Sequence, residues 1–331
     1  MYRLSILLSF VSCLFSQIDY TTIYEMAKMS HNVYYKIRGK EWLNTTLEQV
    51  TDVSVLNDTV KAYLYKDNTN AVIAFKGTSV YWISDQYDLE KQSERIQTER
   101  IQSQQKQKLL QTDMDLVCPL SSSAHDKFND NLFFSCCFYK QSNLFNKCDE
   151  CKGDNLQSEC CKNCYKTSLG YVDNYINLVK DIVENVRKTV DFDNTNVYFT
   201  GHSLGGMLAS VASVIYDKPA VTFESPGDLH YLILSGIGIS DKVYHFGHNG
   251  DPLFVGNCGV TCSIVGYYID TKCHSGFTCS YDAKGKLGYT ESILNHRIEY
   301  IIKHVIPNWE KDFPECIVDS NCIDCENWNY N

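Results

Sequence analysis

The chain has 331 residues, of which 44% are hydrophobic and 13% are aromatic. This is enough apolar material to fill the core of one large domain or two smaller ones, and it excludes a mainly disordered chain. The formal net charge of −10 argues against nucleic acid as a partner, because a protein that binds phosphate backbones needs a basic face to displace counterions.

The N-terminal residues 1–16 have the pattern of a secretory signal. Arg3 supplies a positive charge, residues 4–15 are mostly apolar, and Ser16 is a small residue at a candidate cleavage site. The apolar stretch is shorter than the roughly 20 residues of a relaxed bilayer span. We therefore expect a signal peptide cleaved near Ser16, with a short uncleaved signal anchor as the alternative, followed by one domain over residues 17–331.

The 16 cysteines of the chain indicate an oxidising compartment, in which disulfides are the default state. Two sequons, at Asn44 and Asn57, could carry N-linked glycans in the same compartment. The segment of about residues 85–165 contains a charged, glutamine-rich stretch, followed by many of the cysteines. This segment is expected to be an insertion that is stapled by its own disulfides.

In the rest of the sequence, segments whose apolar residues have helical spacing alternate with segments typical of β-strands. Apolar residues at helical spacing predict an amphipathic helix near the N terminus, with Asp19 as a candidate cap. A hairpin is predicted to feed a buried strand at 71–75, and a long helix follows over about 171–186. A last helix is expected to stop at Pro307. Further strands are predicted at 197–200, 220–223 and 243–246. This alternation predicts an α/β fold with a mostly parallel central sheet.

The most specific motif is GHSLGG at residues 201–206, which follows a predicted strand and opens a segment of helical period. A serine between glycines at a strand-to-helix turn is typical of the nucleophile elbow, whose small neighbours permit a strained backbone that presents the hydroxyl. The motif therefore predicts a serine hydrolase with Ser203 as its nucleophile. This chemistry needs a histidine and a carboxylate, and we expect no metal or other cofactor.

In this fold the catalytic acid and base follow the serine in the chain. Asp251 comes directly after the predicted strand 243–246, where the carboxyl end of a sheet presents functional groups, and it is the favoured acid. Asp228 and Asp241 are the competing carboxylates. Asp228 also follows a strand, but it lies close to Ser203 in the chain.

Among the histidines after the serine, His296 is favoured as the base. It stands at a loop-to-helix junction, from which its ring could reach back over the edge of the sheet. His274, in a loop directly after Cys273, is the main rival. The other histidines of this region are His230, His245, His248 and His304.

The oxyanion of a tetrahedral intermediate needs hydrogen-bond donors near the serine. One donor is expected to be the backbone N–H of Leu204 at the start of the helix, and the other should come from the loop after the strand 71–75. Tyr81, Trp82 and Ile83 follow this loop closely. They are the candidate lid over an acyl-chain pocket.

Several motifs resemble those of the class 3 lipases, the fungal triacylglycerol lipase family. They are AFKGTS at 74–79, GHSLGG at 201–206 and TFESPG at 222–227. The stretches DKFNDNLFFSCC, HFGHNGDPLF and CHSG are more narrowly similar to the autophagy-related vacuolar lipases. The resemblance covers most of residues 73–306. It implies the class 3 α/β-hydrolase fold with a mostly parallel sheet and a cysteine-rich insertion.

The resemblance also implies roles for individual residues. Ser203 would be the nucleophile, Asp251 the acid and His296 the base, while Thr78 and Leu204 would form the oxyanion hole. The implied substrate is phospholipid or triglyceride at a membrane surface, with no obligate protein partner. The implied location is the vacuole or lysosome lumen, or an endosomal multivesicular-body membrane reached with a type II anchor, and secretion is the alternative.

Three other interpretations stay open. The same catalytic residues could serve a water-soluble esterase or an acyltransferase, because the elbow fixes the acyl-enzyme and not the acceptor. A metal-binding or disulfide-rich interaction module is suggested by two cysteine pairs with the spacing of zinc ligands, Cys148 with Cys151 and Cys161 with Cys164. The secretory signal favours disulfides over zinc. The third interpretation is a catalytically inactive scaffold.

Overall fold

The structure, a computed structural model, describes residues 19–55, 60–78, 129–137, 159–160, 162–169, 174–258, 262 and 267–330. These residues belong to one compact unit. Outside the described residues lie the predicted signal, most of the insertion, the sequon at Asn57 and the candidate lid residues Tyr81, Trp82 and Ile83. The sequon residue Asn44 is described, and its side chain is exposed to solvent.

A sheet of eight strands organises the described residues. Its order is β1 (Gln49–Asp52), β2 (Ala62–Lys66), β3 (Asn70–Phe75), β5 (Asn196–His202), β6 (Ala220–Phe223), β7 (Val243–His248), β8 (Phe277–Tyr281) and β9 (Cys316–Ile317). The five strands from β3 to β8 in this order run parallel. Antiparallel pairs, β1 with β2 and β2 with β3 on one side and β8 with β9 on the other, complete its edges. A separate parallel ladder pairs β4 (Glu159–Cys160) with β10 (Asn329–Tyr330). The predicted α/β fold with a mostly parallel central sheet is confirmed.

The helices alternate with the strands of the sheet. They are α1 (Tyr20–Asn32), α2 (Lys162–Leu169), α3 (Tyr175–Arg187), α4 (Leu204–Tyr216), α5 (Leu229–Ser235) and α6 (Ala283–Leu287). A 3-10 turn, Ile293–His296, precedes three consecutive helical segments: Ile298–Tyr300, a π-helical Ile301–Val305, and Ile306–Trp309. The prediction that Pro307 stops the last helix is wrong. Pro307 lies in the first turn of the segment Ile306–Trp309, where the helix needs no N–H donor from it.

Both faces of the sheet are apolar, because alternate residues of a buried strand point to opposite sides. In β3, Ala71, Ile73 and Phe75 pack in the core that contains α3 and α4. Val72 and Ala74 of the same strand pack in the second core, with α1 and the last helical segments. The sheet is therefore held between two layers of helices, which fixes the carboxyl ends of its parallel strands.

Three of the disulfides between described residues tie the C-terminal segment to the rest of the unit. They are Cys136–Cys325, Cys273–Cys322 and Cys279–Cys316, while Cys258–Cys262 closes a short loop. The side chains of the four cysteines with zinc-ligand spacing are not among those described. The described residues contain no group of side chains that could hold a metal ion. In the same part of the chain, no helix combines the length and apolar character that a membrane span requires.

Candidate active site

The turn between β5 and α4 has the strained backbone of a nucleophile elbow. Ser203 lies at this turn with φ 59° and ψ −130°, an unusual conformation for a residue with a side chain. A Cβ atom added to Gly201 would lie 2.2 Å from the Gly205 carbonyl oxygen, and one added to Gly205 would lie 2.2 Å from the Phe75 carbonyl oxygen. Only glycines permit this close approach of strand, elbow and helix.

The elbow brings Ser203 into hydrogen-bond contact with His296, and His296 with Asp251. The Ser203 Oγ and His296 Nε2 atoms are 2.8 Å apart, and the His296 Nδ1 and Asp251 Oδ2 atoms are 2.6 Å apart. Ser203 is 7% exposed, His296 9% and Asp251 0%. The hydroxyl can thus pass its proton to Nε2, while the Nδ1–H group donates to the carboxylate, which is the geometry of a serine hydrolase triad.

The Asp251 carboxylate is stabilised as an anion although it is fully buried. Burial disfavours its charge, but the nearby His296 and hydrogen bonds from His296 and the Leu253 N–H together hold the pKa of Asp251 below its usual value. The Leu253 nitrogen lies 2.9 Å from Asp251 Oδ1. Asp251 Oδ1 therefore accepts from the Leu253 backbone N–H, and Oδ2 accepts from the imidazole ring of His296.

The rival acid and base of the sequence analysis lie in a different polar cluster. Asp228 accepts hydrogen bonds from Ser210 and from the Ser275 hydroxyl, the latter at 2.7 Å. The His274 Nε2 atom lies 2.8 Å from the Ser225 carbonyl oxygen, to which it donates. Neither side chain has a hydrogen bond to Ser203 or His296. Asp241, the third candidate acid, is exposed.

The other histidines after the serine are also engaged away from the Ser203 hydroxyl. His245 contacts Thr222 at 2.9 Å, His230 contacts Tyr330 at 3.2 Å, and the His304 side chain is exposed. His248 accepts a hydrogen bond from the Gly250 N–H at 3.1 Å. The geometry therefore selects His296 from the histidines that the sequence offered.

The loop after β3 packs directly against the elbow. A Cβ atom added to Gly77 would lie 2.5 Å from the His202 carbonyl oxygen and 3.1 Å from the Ser203 Cβ, so the backbone approaches closely here. The adjoining Thr78 hydroxyl donates to the Asp130 carboxylate at 2.7 Å. Tyr175 donates to the other oxygen of this buried carboxylate at 2.6 Å. Thr78 is thus anchored beside the serine.

Leu204 is the first residue of α4, directly after Ser203. The N–H groups in the first turn of a helix have no partner within the helix, and they lie at its positive end. The predicted oxyanion donors at Leu204 and Thr78 therefore lie on the two segments that flank the Ser203 hydroxyl. Both segments are held by backbone packing that tolerates only glycine at 77 and 205.

Tyr34 and His202 link the loop after β3 to His296. The His202 Nε2 atom lies 2.6 Å from the His296 carbonyl oxygen, so Nε2 carries a proton and donates. The His202 Nδ1 atom lies 2.9 Å from the Tyr34 hydroxyl, which in turn accepts a hydrogen bond from the Gly77 N–H. Burial lowers the pKa of His202 to about 3, so the ring is neutral and Tyr34 donates to Nδ1. Sequence analysis did not identify either residue, although His202 lies inside the GHSLGG motif.

Comparison with known proteins adds a separate finding. A phospholipase-like family, described as a Tle-like phospholipase domain, matches residues 152–245. ATG15 of Eremothecium gossypii, which is named as a lipase, is 32% identical over 94% of this chain and 54% of its own length. ATG15 of Saccharomyces cerevisiae strain S288c is 30% identical over 94% of this chain and 56% of its own length. This chain is a homologue of the ATG15 lipases.

The chain spans about half the length of the ATG15 lipases that it matches. Among solved structures, a triacylglycerol lipase from Penicillium expansum overlaps 80% of the chain with a TM-score of 0.34 and 12% sequence identity. A TM-score this low does not establish a shared fold. The fold of this ATG15 homologue follows instead from its own strand order and from the turn that holds Ser203.

Proposed function

We propose that this chain is a serine ester hydrolase that cleaves glycerolipids, a lipase or phospholipase. The observation that carries the proposal is the continuous hydrogen-bonded path from the Ser203 hydroxyl through His296 to Asp251, with distances of 2.8 and 2.6 Å. In this proposal Ser203 is the nucleophile, His296 the general base and Asp251 the acid that orients the imidazole.

The proposed reaction has two halves. In the first, the Ser203 oxygen attacks the ester carbonyl carbon while His296 Nε2 takes the hydroxyl proton. The C–O bond to the alcohol then breaks, and His296 returns the proton to the departing oxygen, which leaves an acyl-serine. In the second half water attacks this acyl group by the same route. The products are a fatty acid and the free Ser203 hydroxyl.

The negative oxygen of each tetrahedral intermediate needs fixed donors. We assign this role to the Leu204 N–H and to Thr78, because they lie on the two segments that flank the serine. The Thr78 hydroxyl donates to Asp130 at 2.7 Å, which fixes the residue before substrate arrives, so the proposed donor to the oxyanion is the Thr78 backbone N–H. Preorganised donors of this kind typically contribute about a hundredfold or more to the rate.

The substrate class follows from the relatives. The ATG15 proteins are named as lipases, and the matching family domain is described as a phospholipase. We therefore propose phospholipid or triglyceride at a membrane surface as substrate. The disulfides support an oxidising compartment of the secretory pathway, and we propose the vacuole or lysosome lumen or an endosomal membrane, with secretion as the alternative.

The decisive experiment compares purified wild type with Ser203→Ala. Phosphatidylcholine vesicles, a triglyceride emulsion and a short soluble ester serve as substrates, at acidic and neutral pH, and the released fatty acids and lysolipids are identified by mass spectrometry. We expect Ser203→Ala to lose at least about a thousandfold in rate, because the nucleophile is absent. Ser210→Ala is the matched control, since that serine is also buried and bonded to an aspartate, Asp228, outside the proposed triad.

The outcomes separate the competing functions. Release of fatty acid from lipid that depends on Ser203 supports the proposal. Hydrolysis restricted to short soluble esters would indicate an esterase, and transfer to an added alcohol in preference to water would indicate an acyltransferase. Unchanged lipid hydrolysis by Ser203→Ala would refute the assignment of the nucleophile. The absence of any wild-type activity on all three kinds of substrate would favour an inactive scaffold.

A further inference from the structure

Glu224 occupies a backbone conformation that usually selects glycine. It directly follows β6 in the TFESPG motif, its φ is 46°, and its N–H donates to the Phe246 carbonyl oxygen at 2.8 Å. Left-handed backbone costs free energy for any residue with a Cβ atom. The Glu224 side chain is nevertheless retained there with 0% exposure. An acidic side chain in a strained and fully buried position calls for a specific role.

The neighbours of Glu224 leave its carboxyl group without a compensating cation. The His248 N–H donates to Glu224 Oε2 at 3.3 Å, and the His248 Nε2 atom lies 3.6 Å from Oε1. His248 Nδ1 accepts from the Gly250 N–H at 3.1 Å, so this nitrogen carries no proton. Nε2 carries it and donates to the Asn295 carbonyl oxygen at 3.3 Å. His248 is therefore neutral, and it does not balance a negative charge on Glu224.

The remaining neighbour of Glu224 is Asp251. No N–H or O–H group of the described residues donates to Glu224 Oε1, and the charged group beside the Glu224 carboxyl is the Asp251 carboxylate, in a site where both residues are 0% exposed. Two buried carboxylates share such a contact only if one of them holds a proton. Asp251 has the His296 and Leu253 donors that stabilise an anion, and Glu224 has only one backbone donor.

We propose that Glu224 is a positioning residue for the triad: its protonated carboxyl group donates a hydrogen bond to the Asp251 carboxylate. This inference rests on the proposed function, in which Asp251 orients His296. The added donor spreads the charge of Asp251 and holds its carboxylate plane, so that Oδ2 faces the His296 Nδ1–H group. Burial and the adjacent Asp251 charge both raise the pKa of Glu224, in agreement with a neutral carboxyl group.

The test compares two substitutions at this position. In Glu224→Gln the amide N–H can replace the carboxyl O–H as donor to Asp251, and the amide oxygen can accept from His248. In Glu224→Met the shape is similar but no donor remains. We expect Glu224→Gln to keep at least half of the wild-type kcat/KM, and Glu224→Met to lose about tenfold, because a hydrogen bond to a charged group is lost.

The pH profile of kcat/KM distinguishes positioning from mere packing. The groups that face Glu224 are Asp251 and His248, with His296 beyond Asp251. Without a donor from residue 224, the anionic form of Asp251 is less favoured, so the acid limb of kcat/KM should move to higher pH in Glu224→Met but not in Glu224→Gln. Asp324→Asn is the matched control, because burial also raises the pKa of that acid and its bonds go to the backbone outside the site.

A spectroscopic measurement tests the role of Glu224 independently of the proposed hydrolase activity. The low-field proton resonance of the His296 Nδ1–H group, assigned by its loss in His296→Gln, should be retained in Glu224→Gln and displaced in Glu224→Met. Failure of the wild type to hydrolyse lipid would overturn the proposed function alone, since this resonance does not depend on turnover. The positioning role is overturned if the acid limb of kcat/KM and the His296 resonance of Glu224→Met both match those of the wild type. It is also overturned if folded Glu224→Gln loses as much kcat/KM as Glu224→Met. If Glu224→Met does not fold, Glu224→Gln alone decides: a wild-type acid limb and resonance support the positioning role, and a displacement of either one overturns it.

Discussion

Replacing Tyr34 with phenylalanine removes one oxygen atom from the centre of the network beside the elbow. That oxygen accepts from the Gly77 N–H and donates to His202 Nδ1 at 2.9 Å. The aromatic ring can stay in place, where it packs at an edge-to-face angle on His202 with ring centroids 5.9 Å apart. The substitution therefore leaves two polar groups without partners and changes little else.

The magnitude of the effect follows from those two groups. A buried donor or acceptor left unsatisfied costs about 1–3 kcal/mol, so Tyr34→Phe should lower the free energy of unfolding by about 2 kcal/mol or more. The loss also loosens the Gly77 backbone beside Thr78 and the His202 ring that holds the His296 carbonyl oxygen. Because partial loss of oxyanion and base positioning acts in the transition state, we expect kcat to fall roughly tenfold with little change in KM.

The assay uses a soluble short-chain ester, which avoids effects of binding at a lipid surface, together with urea unfolding. Tyr35→Phe is the matched control, since it makes the same chemical change at the next residue. The Tyr35 hydroxyl donates to Glu299 at 2.6 Å and has no hydrogen bond to the elbow. Wild-type kcat in Tyr34→Phe, or an equal loss in Tyr35→Phe, would refute the idea that the Tyr34 hydroxyl positions the site.

Three further predictions concern the same region. His296→Ala should abolish ester hydrolysis while His274→Ala should keep most of it, as measured by kcat/KM on the same ester, and the reverse ranking would move the base to His274. Gly77→Ala should also be inactive, because its Cβ would lie 2.5 Å from the His202 carbonyl oxygen, and a folded, active variant would contradict this close packing. His202 should make the fold sensitive to acid, because its pKa is 6.5 in the unfolded chain and about 3 in the folded one. Between pH 6.5 and about 3 only the unfolded chain protonates this ring, so the free energy of unfolding decreases as the pH falls. His202→Gln should reduce this slope by about 1.4 kcal/mol per pH unit in urea unfolding between pH 6 and 4, and an unchanged slope would contradict the neutral ring.

The sequence was sufficient to predict the parallel sheet and the residues now found together at its edge. Apolar runs such as residues 71–75 and 197–200 are typical of buried strands. The glycines at 201 and 205 indicate a turn at which backbone segments approach closely. The chain order of serine, acid and histidine then limited the candidates. Asp251 and Asp228 both follow strands, however, so local pattern alone favoured one without excluding the other. The structure separates them because only Asp251 contacts His296.

The supporting residues could not be predicted, because their partners are distant in the chain. Tyr34 contacts His202 across 168 positions, and Asp130 contacts Thr78 across 52 positions. No local periodicity encodes such pairs. The prediction for Pro307 was wrong because a proline is compatible with the first turn of a new helical segment, and such a segment begins at Ile306, directly after the π-helical turn Ile301–Val305.

The bridge Cys279–Cys316 encloses the segment that carries His296. A single peptide-bond nick anywhere in residues 280–315 would therefore leave the two pieces covalently joined, with the severed histidine segment still attached at one end to β8 or to β9. Nicked protein would migrate as one band on a non-reducing gel and as two after reduction. A cut in this segment therefore does not release His296 from the part of the chain that holds Ser203.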